Sequence, residues 1–182
     1  NSQNKVSSAD FFSNHPFHVV IENFSRRIIA PPKKGNTLQT KWFYERARGQ
    51  YAEARSQSST PGERKKFDAI NPRSQLVKKT DLAIVMNTFR GFPNIVSKGA
   101  EKSFKNFSDE IKKSWKEDKE KNVKFNEQFF KSAMCRVLIF RSLQKLVSDQ
   151  DWYEGGYRRN IVTYAISKLQ LILSLKGKRI NY

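Results

Sequence analysis

The sequence predicts a mainly α, packed helical domain with one or two short strands. Three observations predict it. Apolar residues recur at spacings of three and four through most of the second half of the chain. Proline, glycine and asparagine clusters cut these runs into helix-sized lengths. Only Lys41–Tyr44 and Leu76–Lys78 are short and strand-like in composition. Apolar residues make up 37% of the chain and include 14 Phe, enough for a core although 29% of residues are charged. At 182 residues, a single domain spanning 1–182 is expected.

Asn14-His15-Pro16 reads as a cap followed by a first-turn proline, opening a helix through Val19, Val20, Glu22, Asn23 and Arg27. A linker near 31–36 stops it, because tandem proline removes amide donors and Gly35-Asn36 favours a turn. Lys41–Tyr44 is aromatic enough for a strand, whereas Glu45–Gln57 has helical composition, and the boundary between them stays open. Pro61 and Glu63 open a short helix through Phe67, closed by Asn71-Pro72. Thr80 is expected to cap a helix carrying Leu82, Val85, Met86 and Phe89, ended by Gly91 and Pro93.

Ser97 is expected to cap the next helix, where Ala100, Phe104, Phe107, Ile111 and Trp115 form an inward stripe. Lys98, Lys102, Lys105, Lys112, Lys113 and Lys116 fall away from that stripe. A long helix from Asn126 to Ser148 carries Phe130, Ala133, Val137, Phe140, Leu143 and Val147 inward. After Gly155-Gly156, a last helix from Tyr157 to Leu175 is expected to bury Ile161, Ala165, Leu169 and Ile172.

Charge gives the first functional clue. The chain holds 35 Lys and Arg against 17 Asp and Glu, a net charge of +18. Such a field attracts phosphate backbones, and it also favours solubility, so it ranks partners without proving one. Cys135, inside the apolar run Ala133–Phe140, is the only cysteine, which leaves no disulfide framework and no thiolate metal site. No apolar stretch approaches the roughly 18–20 residues that span a bilayer, and the polar start Asn1–Lys5 is not a secretory signal. Cytoplasmic location, no membrane partner and no cofactor are expected.

The segment Lys41-Trp42-Phe43-Tyr44-Glu45-Arg46-Ala47-Arg48-Gly49-Gln50-Tyr51 resembles the signature of the abortive infection phage resistance (AIPR) family of bacterial defence proteins. The likeness continues through Asn1–Val6, Gln75–Ala83, Val96–Phe104 and Trp152–Tyr164, with Ile84 standing where the family usually has Lys. The resemblance implies a role in phage resistance. Family members are usually longer, so the chain is expected to be a C-terminal excerpt whose upstream partner domain has a restriction-nuclease-like fold.

Two readings of the signature stay open. Trp42, Phe43, Tyr44 and Tyr51 interleaved with Arg46, Arg48 and Gln50 can stack bases and clamp phosphates. Alternatively the aromatics are core, with Glu45 tying down Arg48 at helical spacing. Arg46, Arg48, Lys78, Lys79, Lys98 and Lys102 are the expected contacts to DNA or RNA, positioning it for catalysis in the upstream domain.

The competing expectation is a helical protein-interaction or oligomerisation module, which an exposed apolar patch would favour. A helix-turn-helix is disfavoured, since about seven residues including Pro93 separate the helices where about three or four are usual. Glu63-Arg64-Lys65, Glu110-Ile111-Lys112 and Glu117-Asp118-Lys119 lie in helical patterns and make poor nuclease carboxylates, so no catalytic residue is expected. His15 and His18, the only histidines, are read as helix-start residues and no metal site is expected. Gly155-Gly156 lacks the residues of a phosphate loop.

Overall fold

The computed structural model describes residues 12–32, 38–117 and 124–177. Residues 1–6, 33–36 and 118–119, on which parts of the expected likeness, linker and charged stretch fall, lie outside the described residues. The described residues are mainly helical, with one two-stranded sheet. The chain divides into two compact units, residues 1–79 and 80–182. Among the described residues no helix is long and apolar enough to cross a membrane.

In the first unit, α1 (Pro16–Arg27) starts at Pro16, with His15 as N-cap accepting from the Phe17 amide through Nδ1. Proline suits this first position because it has no amide hydrogen to leave unpaired. The strand β1 (Phe43–Glu45) extends one residue beyond the aromatic run, and Gly49, at φ 84°, turns the chain into α2 (Gln50–Ser56). Glycine takes that left-handed conformation without a Cβ penalty. The next helix, α3 (Pro61–Ile70), opens with a capping box in which Thr60 Oγ1 accepts from the Glu63 amide and Glu63 accepts from the Thr60 amide.

β2 (Leu76–Lys78) pairs with β1 in parallel, Phe43 opposite Leu76, Tyr44 opposite Val77 and Glu45 opposite Lys78. Phe17, Ile21, Trp42, Phe43, Tyr44, Tyr51 and Val77 form this unit's core.

β2 runs straight into α4 (Lys79–Phe89), so Thr80 sits inside the first turn and does not cap it as expected. Pro93 then starts a short α5 (Pro93–Ser97). Ser97 therefore ends a helix instead of capping one, its Oγ donating to the Asn94 carbonyl at 3.0 Å. Gly99, at φ 107°, redirects the chain into α6 (Ala100–Glu117). Phe104, Phe107 and Ile111 are buried as the spacing predicts, and Trp115 is half-buried, stacked on Phe125.

Asn126 caps α7 (Glu127–Ser148), accepting from the Phe129 amide at 2.9 Å, and Phe130, Ala133, Val137 and Phe140 face the core. The apolar run around Cys135 is buried on one side only: Cys135, Leu138 and Ile139 are exposed. The last helix, α8 (Arg158–Leu175), is rotated from expectation. Val162, Thr163 and Ile166 are buried, whereas Leu169 is 50% and Ile172 41% exposed. A one-position shift turns a helical stripe by about 100°. Two polar contacts accompany the buried Val162 and Ile166: Thr163 Oγ1 lies 3.3 Å from Thr88 Oγ1 in the interior, and Gln170 Nε2 donates to the Phe89 carbonyl at 2.8 Å.

Candidate nucleic-acid interface

The signature segment supplies core and scaffold in the first unit. Trp42, Phe43, Tyr44 and Tyr51 are all buried, which removes their ring faces from any base. The Tyr44 amide donates to Ser25 Oγ at 3.1 Å, and the Arg26 guanidinium lies 3.5 Å above the Phe43 ring centroid. Glu45 does not reach back to Arg48 in a helix. It lies buried in β1 and accepts from the Tyr51 amide at 3.2 Å, fixing the turn that leads into α2.

Glu22 on α1 is the hub of the polar layer beside this core. Its carboxylate accepts from Arg46 Nε at 2.8 Å, from Arg26 at 3.4 Å and from the Gln50 side-chain amide. Gln50 Oε1 in turn accepts from the Arg46 amide at 3.1 Å, and Arg46 Nη1 donates to Asn14 Oδ1 at 2.7 Å. Arg46 is thus held against carboxylate and amide oxygens of its own unit.

His18 is not a helix-start residue in function. It is fully buried, and its Nδ1 lies 2.6 Å from the Tyr44 hydroxyl. Burial lowers the His18 pKa to about 3, reinforced by the nearby charges of Lys79, His15 and Arg46, so the ring is neutral near pH 7.

The six expected nucleic-acid contacts fall into different settings. Arg48 and Lys78 are exposed in the first unit, and Lys98, at the end of α5, and Lys102, in the first turn of α6, are exposed in the second. Arg46 is half-buried in the Glu22 cluster, and Lys79 is only 6% exposed. Lys98 stands exposed ahead of Gly99, and on α6 Lys102, Lys105, Lys113 and Lys116 stand exposed, while Ser103, Phe104, Phe107, Ser108 and Ile111 are buried. The α6 lysines therefore share the solvent side of one amphipathic helix. Two of the candidate carboxylates are engaged elsewhere, Glu63 in the capping box and Glu110 with Arg90 at 2.6 Å.

A second basic feature escaped the sequence reading. Two adjoining cavities of about 500 and 340 Å³ in the second unit share Gln144 and Arg159. Arg158 and Tyr157 line the larger one, and Arg141 and Asp81 the smaller. Val137, Arg141, Gln144 and Ser148 follow one face of α7, and Arg158 Nη1 donates to Ser148 Oγ at 2.7 Å. Burial lowers the Arg141 pKa, and Asp81 opposes that shift. A signal was present: Arg141 interrupts an apolar face, and Arg158-Arg159 follow a glycine pair at a helix start. Their convergence depends on α4, α7 and α8 together, which no linear motif records.

Among the described residues no group of three His, Cys, Asp or Glu stands close enough to hold a metal ion. Neither a curated protein nor a solved structure matches the chain. A family model described as AIPR protein matches residues 1–181. That match covers nearly the whole chain, so the protein belongs to the AIPR family of abortive-infection phage defence.

Proposed function

We propose that this chain engages DNA or RNA during abortive-infection defence and positions it for catalysis by another region of the same protein. The observation that carries the reading is the lysine side of α6, opposite its buried stripe, within a chain of net charge +18. Lys102 there and Lys98 just ahead of that helix, with Arg48 and Lys78 of the first unit, are exposed and form no ion pair among the described residues. Such cations exchange condensed counterions for phosphate at little desolvation cost. Arg46 is instead engaged with Glu22 and Lys79 is buried.

The test is the salt dependence of binding to duplex and single-stranded probes. Each duplex phosphate contact contributes about 0.9 to the slope of log affinity against log salt. Lys98→Gln and Lys102→Gln should each flatten that slope and weaken all sequences alike. Absence of binding to both DNA and RNA at low salt refutes the proposal.

A second reading is favoured by the outward stripe of α8. Leu169 and Ile172, with Leu175 at 80% exposure, give that helix an apolar side facing solvent. This suits a helical protein-interaction or oligomerisation module. Sedimentation of the wild type against Leu169→Glu decides it: self-association lost in the variant supports the module, and a monomer at all concentrations argues against oligomerisation.

A further inference from the structure

We infer that the cleft between the second half of α7 and the start of α8 is a binding site for a nucleoside phosphate monoester. The phosphate would lie on Arg141, Arg158 and Arg159, and the base against Tyr157. The inference rests on the nucleic-acid reading for the source of the ligand, but not for the site.

Three features of the cleft point to this chemistry. The two cavities, about 500 and 340 Å³, fall within the range of about 300–1,000 Å³ typical of small-ligand sites. Three guanidiniums line them against the single carboxylate of Asp81. A monoester is close to a dianion at neutral pH, whereas a backbone phosphodiester carries one charge, so this surplus favours the monoester. Arginine's planar fork suits two phosphate oxygens at once.

Arg159 links the two cavities. It lines both cavities, and its Nε is buried without a hydrogen-bond partner among the described residues. Because Arg159 lines both cavities, it gives them a shared cation where they join, on which a phosphate oxygen can be seated. The first turn of α8 adds to this, since no side chain caps it and the positive end of the helix dipole faces the same region. Tyr157, 79% exposed on the rim, offers an open ring for base stacking, while the Tyr153 hydroxyl is held by the Gly156 carbonyl.

Two sources carry this group, the end of a nucleic-acid strand and a free nucleotide, and the experiment separates them. Fluorescence anisotropy compares strands ending in a 5′ or 3′ phosphate with the same strand bearing hydroxyl ends. Calorimetry measures nucleoside 5′- and 3′-monophosphates directly. A terminal phosphate should tighten strand binding about tenfold, the worth of one charge-assisted hydrogen bond. That gain should vanish in Arg159→Gln and in Arg158→Gln, whose exposed position guards against a folding defect. It should also fade as pH falls below about 6, where the monoester takes up a proton.

If monophosphates bind as well as phosphorylated strands do, the ligand is the free nucleotide. If only strands bind, it is the strand end. Binding indifferent to terminal phosphate, with no affinity for monophosphates, overturns the inference and leaves the lysine reading standing. Monophosphate binding without strand binding does the reverse.

Discussion

Glu22→Gln tests the role given to the signature segment. The substitution keeps the side chain's shape but removes the charge that Arg46 Nε meets at 2.8 Å and Arg26 at 3.4 Å. The pair is neither on the surface nor fully buried, with side chains 22% and 16% exposed for Arg46 and Glu22. Exposed pairs contribute about 0–1 kcal/mol, and breaking a buried one costs about 3–5 kcal/mol. An intermediate loss of about 2 kcal/mol is expected, partly offset where the Gln oxygen still accepts one bond.

Urea unfolding of Glu22→Gln, Arg46→Gln and the double variant closes a thermodynamic cycle. A coupling of about 1–2 kcal/mol is expected, well above the roughly 0.5 kcal/mol that separates neighbours from independent sites. Arg46→Gln should leave the salt slope of nucleic-acid binding unchanged. Near-zero coupling, joined to a slope flattened by about 0.9, would instead place Arg46 on a phosphate and refute the scaffold assignment.

Phe107, 1% exposed on the inward side of α6, should cost about 3–5 kcal/mol when replaced by Ala, read by chemical denaturation; unchanged stability would move the stripe to a surface. His18, neutral in the fold with its pKa lowered from 6.5 to about 3, takes up a proton more readily when unfolded. Stability is therefore complete above about pH 6.5 and falls on acidification toward pH 3, by up to about 1.4 kcal/mol per pH unit, and His18→Gln should flatten this part of the pH profile. A slope that persists in the variant means other groups dominate. With magnesium or manganese the chain should not cleave DNA or RNA, because Glu63 is tied up in a cap and Glu110 with Arg90; metal-dependent cleavage lost in Glu110→Gln would contradict this.

Local signals in the sequence were legible where the physics is local. Thr60, Pro61 and Glu63 are a helix start written in three residues, and Asn126 caps α7 for the same reason. Phe104, Phe107 and Ile111 mark an inward side because apolar spacing and burial coincide on α6. On α8 they part company. Thr163 and Gln170 enter the packing through partners on α4, and periodicity counts such polar residues as outward-facing. His18 was illegible for a related reason: its partner is Tyr44, on β1, and the pairing of β1 with β2 depends on residues remote in sequence.

The basic residues divide by the same logic, and the division has a functional meaning. Lys98 and Lys102 need nothing but an exposed position beside or on a helix, so composition and spacing suffice to find them. As mobile point charges they attract any phosphate backbone and carry no information about base or end. Arg141 and Arg159 are set by three helices into a shaped cleft, where planar guanidiniums can reward one anion geometry over another. If both features bind one nucleic acid, they contribute differently: the lysines mainly to the encounter rate and the salt slope, the cleft to residence time. Lys98→Gln should then slow association with little effect on dissociation, and Arg159→Gln should speed dissociation of a phosphorylated strand alone. Kinetic traces in which both variants change the same rate constant would mean that the cleft is one more patch of diffuse charge.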